Sequence, residues 1–165
     1  MDALASIPLT INLANAGLVA GTTSTYTTTV TTTCAINGKF ATTLGVQTNT
    51  ASPTTDATTG AAFVALAANQ ATVLVWGTNA AGAIKLAQGS IVATEVGVTT
   101  TVGGFITAPA FPSLPDDFCP IGYQLVRVSP TGAAFTAGTT QWAASGITCG
   151  VIKNVATLPG RPQIA

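Results

Sequence analysis

Between residues 22 and 36 the chain alternates with period two. The even positions include Tyr26, Val30, Cys34 and Ile36, and every odd position from Thr23 to Thr33 is threonine. Alternation of this kind among β-branched residues predicts a strand with one face toward a core and one polar face. Asn37-Gly38 follows, a pair that accepts the positive φ angles of a type I′ turn. The return run then places Phe40, Leu44 and Val46 on one side, which predicts a first hairpin.

Residues 73–76 form a short continuous apolar run, the pattern of a strand buried on both faces. Residues 77–82 are turn material, and Ile84-Lys85-Leu86 resumes the alternation with Lys85 outward, a second hairpin. Residues 91–101 and 123–128 are further strand candidates, with Arg127 at a solvent-facing or edge position. The Ala-rich residues 61–68 have room for one or two helical turns. Pro109, Pro112, Pro115 and Pro120 enforce an extended or turning loop between strands.

Short alternating strands separated by Gly, Asn and Pro turns predict an all-β fold, an antiparallel β-sandwich or small barrel. Its core is expected to include Tyr26, Val30, Phe40, Leu44, Val73, Val75, Leu125 and Val126. Residues 1–20 carry apolar side chains without a hairpin partner and read as an extended N-terminal arm. Residues 21–155 form the β domain. Residues 156–165, with Pro159, Gly160 and Pro162, read as an extended C-terminal tail.

Composition narrows the function. Charged residues are 6% of the 165-residue chain, five of each sign, and there is no histidine. An ordinary domain carries about 25% charged residues. Nothing here offers the clustered Lys and Arg that a nucleic-acid backbone demands, so no nucleic-acid partner is expected. Hydrophobic residues are 47%, too many for a disordered chain. Residues 60–77 form the best membrane window, but Asn69, Gln70 and Thr72 interrupt it, and a span needs about 20 mainly apolar residues. Asp2 and Pro8 argue against a secretion signal at the N-terminus. The expectation is a soluble, unprocessed protein made in the cytoplasm, without membrane partners. Zero net charge leaves little self-repulsion and favours association.

Candidate chemistry is sparse. Cys34, Cys119 and Cys149 are too widely spaced for a disulfide framework or a zinc site and read as buried free thiols; a Cys119–Cys149 bridge stays open. A cysteine nucleophile would lack a histidine base. Asp116-Asp117 has the oxygen chemistry for a hard cation, yet Pro115-Asp116-Asp117 reads first as a turn or cap. No catalytic residue, cofactor site or metal site is expected. Trp76 reads as core. Trp142, after a Gly-Thr-Thr turn, is balanced between core and an exposed platform. The threonine rows lack the repeat on neighbouring strands that ice binding wants.

The stretch from Pro109 through Leu114-Pro115-Asp116-Asp117 to Gly122-Tyr123 resembles a segment of structural proteins from tailed bacteriophages and prophages. Further matches are Phe135 to Trp142 with its Gly-Thr-Thr-x-Trp pattern and Val155 to Pro162, together with Asn37-Gly38-Lys39-Phe40, Pro53 to Asp56 and Gln88-Gly89. The resemblance covers roughly residues 25–163. It implies a virion component without an active site: a capsid decoration (cement) protein, a head fibre or a tail-associated protein.

The expected function is therefore non-enzymatic, a decoration protein on the outer capsid surface, assembled in the host cytoplasm. Its partners would be the major capsid protein and copies of itself, with a trimer favoured. An alternative is a fibre or adhesin module that binds host-surface glycans. The expected interface is Leu4, Ile7, Leu9, Ile11, Leu13, Leu18 and Val19 of the arm, together with Trp142. On this reading, deleting residues 2–20 leaves a folded β domain that assembles poorly.

Overall fold

The computed structural model describes residues 9–164. Its twelve strands are β1 (Ile11–Asn12), β2 (Val19–Ala20), β3 (Thr25–Thr28), β4 (Cys34–Ile36), β5 (Lys39–Phe40), β6 (Gln47–Ala51), β7 (Gln70–Thr78), β8 (Ile84–Gln88), β9 (Val92–Ala93), β10 (Cys119–Val128), β11 (Ile147–Cys149) and β12 (Lys153–Asn154). No helix occurs among the described residues, and residues 61–68 are irregular, with Leu66 bridged to Phe135. The fold is all-β.

A six-stranded sheet runs β11-β10-β7-β8, with β12 also pairing β10 and β9 also pairing β7. Two three-stranded sheets, β1-β4-β5 and β2-β3-β6, accompany it. All strand pairings are antiparallel, and none of the sheets closes into a barrel. The layered arrangement is consistent with a sandwich.

The central pair explains the apolar run at 73–76. Val73 and Val75 join Phe118, Tyr123 and Ala87 in one cluster, while Leu74 and Trp76 face the larger core on the other side. All four side chains are fully buried. Tyr123 lies opposite Val75 and Leu125 opposite Val73, so the pleats of both strands agree. A bulge between Pro120 and Gly122 inserts Ile121 and leaves a glycine opposite Trp76. A Cβ at Gly122 would stand 3.1 Å from the Ile152 side chain and 3.2 Å from the Lys153 carbonyl, so the close packing there favours glycine.

The small sheets supply Leu18, Tyr26, Cys34, Ile36 and Leu44 to the larger core. The opposite face is closed by Phe111 and Leu114 of the proline loop and by Val155 and Leu158 of the tail. Phe111 meets Tyr123 edge-on, with ring centroids 5.0 Å apart. The C-terminal segment thus lies against the sheet, and the backbone N–H of Gln163 donates to the Tyr123 hydroxyl.

Several expectations are corrected. The long strand over 22–36 is split at Thr29-Val30, where both backbone N–H groups donate to the Ala16 carbonyl, and Val30 becomes 47% exposed. Asn37 and Gly38 do form the tight turn, with φ of 51° and 76°. That two-residue turn pairs Ile36 with Lys39 and Ala35 with Phe40. Phe40 therefore shares the outward face of the odd positions and is 79% exposed, not core. Leu44 is buried because the register shifts by one before its bridge to Thr32. Leu125 is only half-buried, and of residues 91–101 only Val92–Ala93 is a strand.

The N-terminal arm is also corrected. Leu4 and Ile7 lie outside the described residues, but residues 11–20 are part of the domain. β1 pairs with β4 and β2 with β3. Asn12 donates from its backbone to Ala156 and from its side chain to Val155. The Asn154 carboxamide exchanges two hydrogen bonds with the Leu18 backbone, at 2.8 and 3.0 Å. Burying Leu18 in the core satisfies its apolar surface within the chain, so that side chain needs no neighbour to cover it.

Candidate interaction surface

Three of the expected interface residues stand on one exposed face. Leu9, Ile11 and Leu13 alternate with Thr10 and Asn12, and only Asn12 of the five is buried. Alternate residues of an extended chain point to opposite sides, so the three apolar side chains share the outer side of β1. Directly opposite partners in an antiparallel ladder share a face. Ile11 pairs with Ala35, and Ala35 pairs with Phe40, which carries the row across all three strands. Leu9 is 54% exposed and Leu13 52%. Gly38 donates its N–H to the Leu9 carbonyl, which holds the start of this row against the turn before Phe40.

The face is neutral. Residues 3–38 contain no charged side chain, and Lys39 lies beside it at the edge. Polar groups there are hydroxyls: Thr33 and Thr43 hydrogen-bond to each other at 3.1 Å. A cleft of about 290 Å³ opens next to Leu13, between residues 12–15 and 154–156. On the neighbouring small sheet, Val19 is 47% exposed opposite Thr27. Asn37 donates to the Asp116 carbonyl at 3.2 Å, tying the turn to the proline loop.

The other two expected interface residues are elsewhere. Leu18 is fully buried. Trp142 is 5% exposed and stacks in an aromatic chain from Tyr26 through Trp76 to Phe135, with centroid distances of 5.5, 5.9 and 5.7 Å. Its indole N–H donates to the Thr25 carbonyl at 2.7 Å. A buried tryptophan with a satisfied N–H is core, not a sugar platform. Phe40, placed in the core on sequence grounds, is instead the largest exposed ring. The signal for it was present: a two-residue turn at Asn37-Gly38 dictates that 40 pairs with 35.

Titratable groups gather in two places. Asp56, Lys85 and Asp117 line a cleft of about 250 Å³. The Asp56 carboxylate is committed to the local turn: it accepts from the Thr58 and Gln88 N–H groups and from the Thr59 hydroxyl. Asp116 and Asp117 form a turn closed by the Phe118 N–H on the Pro115 carbonyl. The second place is the core itself. Cys34 and Cys119 are both buried, and the interaction between the two thiols lowers Cys34 below the ordinary thiol value and raises Cys119 above it. The Thr78 hydroxyl also donates to Cys34, at 3.3 Å. Cys149 is pushed up to about 12 by burial.

A Cys119–Cys149 bridge is excluded by register. Cys149 pairs with Val126, seven residues along β10 from Cys119. At about 3.3 Å per residue that is on the order of 20 Å, against the roughly 4.4–6.8 Å between Cα atoms that a disulfide spans. All three thiols are free. No family model, curated protein or solved structure matches this chain.

Proposed function

We propose that this chain is a non-enzymatic virion structural protein of a tailed phage, a decoration protein that cements the outer capsid surface. The observation that carries the reading is the uncharged outer face of Leu9, Ile11, Leu13, Ala35 and Phe40. An antiparallel sheet with one face in water ordinarily turns polar residues outward. Here that face is apolar and presented on a sheet anchored to the core, as a docking surface requires.

Contacts through such a face bury apolar surface with little Coulombic steering. Each copy adds a modest contribution, and many copies placed by capsid symmetry act together. A decorated shell then resists expansion because many weak contacts must break at once. A homotrimer matches the threefold positions between capsomers. Supporting this reading are the motif resemblance over residues 25–163 and the zero net charge.

The test is co-sedimentation of the purified protein with capsids assembled without it, across a range of salt. Binding at hundreds of copies per particle, little changed by salt and lost on Phe40→Ser, is expected. Absence of capsid binding, or only a few copies per virion, overturns the reading. Binding by Phe40→Ser equal to that of the parent would move the contact to another face.

A further inference from the structure

We propose that Cys34 and Cys119 join in a disulfide when the chain meets a low-molecular-weight disulfide oxidant, stapling β4 to β10. Register puts the two thiols together. Thr78 is the direct partner of Cys119 in the β7–β10 ladder, and opposite residues share a face with Cβ atoms about 4.5–5.5 Å apart. The Thr78 hydroxyl lies 3.3 Å from the Cys34 sulfur. Cys34 thus sits over the residue beside Cys119, and both belong to the same buried cluster. The two thiols shift each other's ionisation in opposite directions, as this placement requires.

The chemistry is two exchanges. The Cys34 thiolate attacks one sulfur of oxidised glutathione, forming a mixed disulfide and releasing one glutathione thiolate. The Cys119 sulfur, giving up its proton, then attacks Cys34 and releases the second. Two protein thiols are oxidised and one glutathione disulfide is reduced to two thiols, with no other reactant. Cys34 is the first nucleophile because the Thr78 hydroxyl donates to its sulfur, which favours the thiolate.

Access comes through the small sheet. β4 is held by β1 and β5, strands of two residues each, so β4 opens at lower free energy than the central pair. Once formed, the bridge closes a loop from residue 34 to 119 and constrains the unfolded chain, an effect that grows with loop length. Cys149, on β11 opposite Val126 and far from Cys119, stays reduced.

The experiment refolds the reduced, full-length protein in a glutathione redox buffer and, in parallel, under excess reductant. Thiols are then counted in denaturant and the peptides mapped without reduction. Three thiols are present in the reduced chain; one, Cys149, should remain after oxidation, with Cys34 and Cys119 peptides linked. The melting midpoint should rise by roughly 5–15 °C and return to the reduced value on adding reductant. The variant Cys149→Ser should oxidise in the same way and leave no free thiol. Three thiols after oxidation, a bridge that includes Cys149, or only intermolecular bridges would each overturn the proposal.

Discussion

Along β7 both faces of the strand meet protein, whereas along β4 only one does. Residues 73–76 send Val73 and Val75 to one cluster and Leu74 and Trp76 to the other, and nothing apolar is left over. On β4, Cys34 and Ile36 are buried while Ala35 between them faces outward in a row with Ile11 and Phe40. Both regions lack charge, yet only the first has a structural reason internal to the chain. In the central pair, neutrality follows from two-sided burial, where an ionised group would be expensive. On the outer face of β1-β4-β5 water would accept charges freely, so nothing in the fold requires their absence, and the proposed docking role supplies a reason for it.

The sharpest way to break this contrast is to remove one edge strand from each of the two small sheets. Deleting residues 2–20 takes away β1, β2, buried Asn12 and Leu18, and the hydrogen bonds to residues 154–156. Truncating Leu18 to alanine alone is worth about 2–5 kcal/mol, against a typical total of about 5–15 kcal/mol. The deletion should abolish the cooperative thermal transition by calorimetry. A truncated chain that melts cooperatively would show these two edge strands to be accessories, and the comparison would lose its basis.

Next in size is Trp142→Ala, which empties the centre of the aromatic chain. Loss of about 3–5 kcal/mol is expected by denaturant titration. Trp142→Phe keeps a ring but removes the indole donor to the Thr25 carbonyl, which still accepts from the Gly21 N–H at 2.8 Å, and should cost about 0.5–1.5 kcal/mol for the lost bond. Wild-type stability in the alanine variant would mean the indole is not core after all.

Alkaline pH offers a graded probe of the core margin. Cys149 ionises at about 12 in the folded protein, against an ordinary value of 9.0. A raised thiol value means the unfolded chain loses its proton first. The stability is intact below about pH 9 and falls as pH rises toward 12, by up to about 1.4 kcal/mol per pH unit. Cys34 and Cys119 shift in opposite directions and add their own slopes, so the Cys149 share is the difference between the parent and Cys149→Ser. From pH 8 to 11 the gap in urea midpoint between the two proteins should stay constant if the thiol is solvated; it should shift against the parent above about pH 9 if the thiol is shielded as its raised value requires.

What was legible in the sequence divides along sequence distance. The two-sided strand at 73–76 and the turn at Asn37-Gly38 are local patterns, and both are found. Placing Phe40 inside failed at the step from turn to register, although a two-residue turn contains that register. Trp142 was undecidable from its neighbours, because its decisive bond reaches Thr25, 117 residues away. The N-terminal segment read as a free arm for the same reason: its partners include Asn154 and Val155, more than 130 residues distant. Exposure of Leu9 and Leu13 was legible as apolar residues without a local partner, and Leu18 was grouped with them only because its partner is equally remote.

The smallest expected effect on stability is also the one that bears most on function. Phe40 is 79% exposed on a two-residue edge strand, and its ring covers little of the protein. Replacing it with serine should change the unfolding free energy by no more than about 0.5 kcal/mol, as for surface substitutions generally. Its backbone pairing with Ala35 needs no side chain, so the hairpin should persist and the circular dichroism spectrum should match the parent. Binding is another matter, because a large exposed aromatic on a neutral face is the kind of residue that dominates association energy. Capsid co-sedimentation should therefore fall at least tenfold, a change of about 1.4 kcal/mol in binding, while the melting curve stays put. Phe40→Leu, which retains apolar area, should recover part of the binding. If the serine variant instead unfolds with Trp142→Ala, the ring is part of the core, and the contrast between the two-sided and one-sided strands collapses.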